Sequence, residues 1–406
     1  MRRRSSLRAL QVLSVLPLVL TAPALPAAAA DDGASAPRTE RLSVAPDGTG
    51  GNGHSGSPSV SADGQVVAFV SQATNLVPGT TTRGNVFVRT APGAALRRVS
   101  PPGETTSTPA LSADGRYLTF ASYSTATERT SVHVMDLKSG RTEHLAPALP
   151  DGYAVSYGIA PISGNGRYVA FVARPTDDSD TRGCRIHVLD RVTERVQQVS
   201  RASQRATCQQ QSMSADGRKI AYQDGYTGPS DDDQGDILVH DRRTGRTVKA
   251  DTTHDGAPAE QSSVSPSLSA DGSTVSFAST ARNLVPGTDP NDGWNVFVRD
   301  LRTGSLTRVD GHAPTDLVVG GQLSTDGSQM LVNIGNADRQ PQGLWLRDLR
   351  TGQETLLSPG TDGKPVGVGS AALSADASTA VFDSFYPGLV PDDTNWTGDV
   401  FTRHVR

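Results

Sequence analysis

From residue 60 onward the apolar positions of the chain alternate instead of recurring at helical spacing. Val66, Ala68 and Val70 fall on one side of the first such run, and Val67 and Phe69 on the other. A period of two marks a β-strand. The run returns behind a tetrapeptide of the form Ser-x-x-Gly, most often S-A-D-G. The tetrapeptide starts at Ser61, Ser112, Ser163, Ser214, Ser269, Ser324 and Ser374, reads S-G-N-G in the third copy and S-A-D-A in the seventh, and recurs every 50 to 55 residues. The Asp-Gly pair predicts a tight turn, because glycine takes positive φ freely and Asp tolerates it. A large side chain follows the turn at constant phase: Phe69, Phe120, Phe171, Tyr222, Phe277 and Phe382, with Val332 in the sixth copy. Constant phase predicts a core contact between neighbouring sheets.

The rest of each copy has one grammar. A short strand precedes the Ser, as at Pro58 to Val60. After a loop comes a strand of V-F-V-R-D type, as at Val86 to Val88 or Val296 to Val298, ending in an Asp such as Asp136, Asp190, Asp241, Asp300 or Asp348. A T-G or S-G turn then leads to a more polar fourth strand such as Leu306 to Val309. Four antiparallel strands with a polar outer one describe a propeller blade, and a sustained period of this length is a repeat-fold signal. The expected fold is all-β: a seven-bladed β-propeller of four-stranded antiparallel blades. The seventh copy carries three strands. The segment Thr39 to Val44 reads as a fourth and is expected to complete the last blade and close the ring, which removes the exposed edges of an open stack.

The S-A-D-G pattern followed by V-F-V-R-D-L-x-T-G resembles the WD-like β-propeller repeat of the TolB type, over about residues 39–406. That repeat usually has Pro where this chain has Ala62, Ala113 and Ala215. The resemblance implies a propeller that binds a protein or other ligand. The α/β domain that precedes the propeller in TolB is not expected here, and TolB's role is not carried over.

Hydrophobic content of 35% and aromatic content of 5% suit thin sheets that share their cores, and 41 Gly and 26 Pro suit many turns. Arg2 to Arg4, the apolar run Leu10 to Leu20 and the small residues Ala27 to Ala30 before Asp31 read as a signal peptide over residues 1–30. The mature chain, residues 31–406, is then expected to be a single secreted propeller domain. Removing four Arg from 38 basic residues leaves 34 against 42 acidic ones, a balance of −8. That balance argues against a nucleic-acid partner. No later stretch is apolar enough to span a membrane, and a monomer is expected.

The turns joining strands one–two and three–four are short, whereas the two–three and four–one connections, such as Gln72 to Asn85 and Asp310 to Gly321, are long. Binding residues sit preferentially on loops held by a rigid scaffold, so the ligand face is expected on the long-loop side. There N-L-V-P-G-T occurs at Asn75–Thr80 and Asn283–Thr288, and G-L-V-P-D-D at Gly388–Asp393. The candidate ligand-face residues are Asn75, Asn283, Asp289, Asn291, Asp292, Asp392, Asp393 and Asn395. Asp289, Asn291 and Asp292, with Asp393, Asn395 and Asp399, supply the oxygen ligands that Ca²⁺ prefers, although Asn and Asp also simply make turns. Leu76, Val77 and Pro78 are expected to anchor the loop. Cys184 and Cys208 are the two cysteines, placed for a disulfide on that face. His54, His254 and His312 fall in four–one loops of different blades at different offsets, and His133, His187 and His240 recur in third strands. No G-x-S-x-G elbow or Gly-rich phosphate loop is present. The sequence therefore points to a binding module for a protein, peptide or wall polymer, with a channel-mouth lyase or hydrolase, metal-dependent or not, as the alternative.

Overall fold

Each Ser-x-x-Gly turn joins two strands of one antiparallel sheet, and seven four-stranded sheets follow one another along the chain. The computed structural model describes residues 37–405, apart from 81–83, 146, 177–182, 201–210, 226–234, 288–292, 337, 339 and 394–395. Blade 5 shows the plan: Ser263–Leu268, Thr274–Ser279, Asn295–Asp300 and Leu306–Val309 pair in that order. Blade 7 consists of Ala371–Leu373, Thr379–Ser384, Asp399–His404 and, as its outer strand, Arg38–Arg41. The closing pair is antiparallel, with Arg38 opposite His404 and Arg41 opposite Phe401. The ring therefore closes as the sequence implies, through a strand shorter than Thr39 to Val44.

The constant ring position packs each blade on the one before it. Phe120 of blade 2 lies against Ala68, Val86 and Val88 of blade 1. Phe277 lies against Ala221 and Val239 of blade 4, and Phe382 against Leu331 and Leu344 of blade 6. Phe69 of blade 1 lies against Val381 and Val400 of blade 7, so the cycle has no end. The Phe rings are also paired with a ring across their own sheet, Phe69 with Phe87 at 5.8 Å and Phe382 with Phe401 at 6.0 Å, while Tyr222 stands opposite Leu238. In blades 2 and 3 the partner is a histidine. His133 stacks on Phe120 at 4.8 Å and His187 on Phe171 at 5.6 Å. Burial pushes both imidazoles down to about 4, so they are neutral core rings standing where other blades have Phe.

The recurrent Ser is buried in all seven copies. The Ser214 hydroxyl donates to Asp216 Oδ1 at 2.6 Å and accepts the Lys219 N–H at 2.9 Å, while Asp216 Oδ1 also accepts the Arg218 N–H at 2.9 Å. The same bonds form around Ser61, Ser112, Ser163, Ser269, Ser324 and Ser374, with Asn165 replacing Asp in the third. This is why Ser and Asp recur two residues apart: together they satisfy the main chain of a turn whose Gly217 has φ +69°. The residue between them joins neighbouring blades. N–H to C=O bonds run from Ala62 to Ala113 at 2.9 Å, from Gly164 to Ala215 and Ala215 to Ala270 at 2.8 Å, and from Ala375 to Ala62 at 2.8 Å. A proline at Ala62 or Ala215 has no N–H to give, so the departure from the TolB-type repeat carries this belt.

Two irregularities lie in the innermost strands. Ser57 and Ser265, each before a proline, have φ of +54° and +56°, and the pairing register shifts around them. The innermost strand of blade 2 is broken into Thr105–Thr106 and Ala110–Leu111. None of this shows in the alternation pattern, because backbone kinks are not coded by hydrophobicity.

Substituting Ser214 with Ala is expected to leave the Lys219 N–H and Asp216 without their shared partner and to cost about 1–3 kcal/mol. Urea unfolding of the variant and the parent chain measures it.

Candidate functional site

Asn75 and Asn283, singled out for the ligand face, are committed to the main chain of the preceding four–one loop. Asn75 Oδ1 accepts the Asn52 N–H at 2.9 Å and its Nδ2 donates to Gly50 O at 2.9 Å. Asn283 does the same to the Glu260 N–H at 3.1 Å and Pro258 O at 2.9 Å. Behind them Leu76, Leu284 and Leu389 are buried between blades, which anchors each loop at its middle.

The described acids of the blade 7 loop converge on a cation from the chain itself. Arg41, in the closing strand, pairs with Asp392, and its Nη1 lies 3.9 Å from Asp393 Oδ1 and 3.7 Å from Asp399 Oδ2. The Ser43 hydroxyl donates to Asp399 Oδ1. Burial nevertheless pushes the Asp399 carboxyl up to about 6, against the opposing pull of Ser43 and Arg41. The equivalent place in blade 4 holds the ion pair Lys249–Asp236 at 2.5 Å. Beside it Asp251 is fully buried, and desolvation, with the like charge of Asp236, pushes it up to about 6. Asp289, Asn291, Asp292 and Asn395 lie outside the described residues. Among the described residues no group of three or more His, Cys, Asp or Glu is placed to hold a metal. Cys184 is disulfide-bonded, and Cys208 lies outside the described residues. The loop histidines go separate ways: His54 stacks on Phe385 at 4.7 Å, and His312 meets Glu354 at 2.8 Å and the Trp345 ring at 4.7 Å.

A different cluster stands out where blades 7 and 1 meet on the long-loop face. The two–three loop of blade 7 exposes Phe385 (48%), Tyr386 (39%) and Trp396 (69%). Tyr386 and Trp396 form a corner, with centroids 5.7 Å apart and planes at 65°. The start of the loop is pinned: Ser384 Oγ donates to Gly367 O at 2.7 Å and accepts the Tyr386 N–H at 3.0 Å. Asp383, two residues before Phe385 in the chain, is 5% exposed, and its Oδ1 accepts the N–H groups of Ser57 and Ser370 at 3.2 Å each and the Ser370 hydroxyl. Burial raises its carboxyl above the ordinary range. Glycines make the room. A side-chain carbon on Gly369 would lie 2.3 Å from Asp383 Oδ2, on Gly367 2.7 Å from the Tyr386 ring, and on Gly398 2.1 Å from His54 Nδ1.

The aromatic cluster was not among the residues expected from the sequence. Its signal was a break in the repeat. Where blades 1 and 5 read S-Q-A-T-N-L-V-P and S-T-A-R-N-L-V-P, blade 7 reads S-F-Y-P-G-L-V-P. Two large rings replace a polar and a small residue.

No protein-family model matches the chain, and no curated protein aligns with it. Solved structures do. An oligogalacturonate lyase from Vibrio parahaemolyticus is similar at a TM-score of 0.62 and 12% identity, over 91% of this chain and 97% of that one. The β-propeller domain of the Trilobed protease from Pyrococcus furiosus is similar at 0.58 and 13% identity, over 88% and 95%. A putative TolB from Agrobacterium tumefaciens aligns at 0.46 and 16% identity, over 77% and 94%. The chain is a β-propeller, the fold expected from its repeat. Lyase and peptidase propellers stand among the similar structures, so the likeness carries the fold and leaves the chemistry to the site.

Asp251 and Asp399 hold protons in the folded chain that the unfolded chain releases near 3.8. Their contribution is fully present below about pH 4 and is lost as pH rises through about 6. The turn acids with lowered values, such as Asp136 and Asp348, act in the opposite sense at lower pH. Replacing Asp251 with Asn is expected to raise stability at pH 7 relative to pH 4 by about 2–3 kcal/mol against the parent. Thermal melts of both chains at the two pH values measure it.

Proposed function

We propose that the protein is a secreted binding propeller that recognises a protein, peptide or cell-wall ligand on its long-loop face, where blade 7 meets blade 1. The observation that carries this is the exposure of Phe385, Tyr386 and Trp396 on one loop, pinned at its start, that follows a buried acid. Large rings left in water on a rigid support are what binding surfaces use to gain affinity at low entropic cost. Export rests on the basic, apolar and small-residue segments of residues 1–30. Among the described residues no helix is long and apolar enough to cross a membrane.

A second reading draws on the same junction. His54, Asp383 and the Ser370 hydroxyl stand together there, an imidazole and a carboxylate of the kind that lyases and hydrolases use as acid and base.

The test is capture of a saturable partner from the producer's wall extract and culture fluid by the purified chain. Arms with Ca²⁺ and with a chelator cover the loop of Asp289, Asn291 and Asp292 and the loop of Asn395. Alanine at Phe385, Tyr386 and Trp396 together is expected to weaken capture by at least about tenfold. Alanine at the exposed short-turn residues Lys138 and Arg302 is expected to leave it unchanged. The opposite pattern would place the ligand on the other face. Turnover of small esters or glycans that is lost with His54→Ala would favour the enzymatic reading.

A further inference from the structure

Buried acids recur on the long-loop face: Asp251 in blade 4, Asp399 in blade 7, and Asp383 at the blade 7–blade 1 junction. Asp399 and Asp236 each have a basic side chain from the outer strand, Arg41 and Lys249. Asp383 is 5% exposed and, like Asp251, makes no ion pair among the described residues. Among those residues every hydrogen bond to its carboxylate falls on Oδ1, which takes three donors. Oδ2 accepts none of them. His54 stands beside it, close enough to favour its charge. A largely buried carboxylate that keeps one oxygen without a donor is stabilised by a cation.

We propose that the junction takes a lysine side chain of a partner protein or peptide, with its ammonium on Asp383 Oδ2 and its methylenes against the Tyr386–Trp396 corner. The proposal rests on the binding reading above and names its ligand. Three features select lysine. One free oxygen offers a single acceptor, which suits an ammonium, whereas a guanidinium fork prefers two. The acid is recessed, so the charge must arrive on a slim, flexible stem, which the four carbons of lysine supply. Two rings set at 65° offer faces to both the stem and the cation. A side-chain carbon on Gly367 would meet Pro341 and the Tyr386 ring, and one on Gly369 would meet Asp383 Oδ2, so ring and acid both border the stretch from Gly367 to Gly369. The excess of acidic residues, 42 against 38 basic over the whole chain, favours a basic partner.

The experiment titrates the full folded chain with the peptide Gly-Gly-Lys-Gly-Gly and its norleucine and arginine counterparts, by calorimetry at low salt. The lysine peptide is expected to bind at least about tenfold tighter than the norleucine one, and several-fold tighter than the arginine one. Asp383→Asn keeps an oxygen for Ser57 and Ser370 and is expected to lose about tenfold or more for lysine alone. Trp396→Ala changes a largely exposed residue, so the fold is expected to survive, and it should weaken the lysine peptide by about three- to tenfold. Melting curves of each variant check the fold. Equal binding of lysine and norleucine, no binding of lysine, or an unaffected Asp383→Asn variant would overturn the proposal. If partner capture still depends on Phe385, Tyr386 and Trp396 in that event, the binding reading stands and the lysine assignment alone falls. If capture does not depend on them either, both fall.

Discussion

The pairing of Arg38–Arg41 with Asp399–His404 is the constraint on which the ring depends. Without it blade 7 would end on a bare edge, and Phe401, whose ring completes the last cross-sheet pair, would lose the strand beside it. Joining the two ends of a chain this long adds little entropic cost over joining a shorter one, because that cost grows only with the logarithm of loop length. In return every blade gains two neighbours, and each interblade layer of apolar side chains has a wall on both sides. Arg41 adds a polar seal at the same place by gathering Asp392, Asp393 and Asp399 around its guanidinium.

The two faces of the ring have divided their tasks. At the short-turn end the chain repeats itself because physics leaves little choice. A buried Ser, an Asp or Asn two residues on and a small residue between them satisfy the turn and link blade to blade through main-chain bonds. A channel cavity of about 210 Å³ at this end is lined by such residues, Ala62, Ala113, Gly164 and Ala215 among them. At the other end the loops are tied down by buried leucines and Asx bonds to the backbone, and their remaining residues are free to differ. Variation on a fixed support is the setting in which binding sites arise.

Charge is managed unevenly on that variable face. Two blades pair an outer-strand cation with an acid at the start of the third strand, and in both an acid is pushed up to about 6 by burial. Such arrangements cost stability at neutral pH and bring it only where the geometry compensates. Asp383 has three donors on one oxygen and His54 nearby but no ion pair among the described residues, and Phe385, Tyr386 and Trp396 of the following loop stay exposed. A fold selected for stability alone would neutralise the acid and hide the rings.

The sequence by itself determined the blade count, the four-strand plan, the interblade ring position and the closing strand, because each is written seven times or is demanded by an incomplete copy. Hydrophobic phase and turn residues are local, and repetition amplifies them. It also showed which face carries long loops. What only the tertiary structure decided is what those loops do. Asn75 and Asn283 look like free polar residues in the chain but are spent on backbone bonds. Asp393 and Asp399 look like metal ligands but face Arg41, more than 350 residues away in sequence for Asp399 and Asp393 alike. Asp383 and Tyr386 lie three residues apart in blade 7, whereas His54 comes from the loop leading into blade 1 and packs against blade 7 where Gly398 leaves no side chain in its way. Such encounters depend on the ring closing, and nothing in local spacing records them.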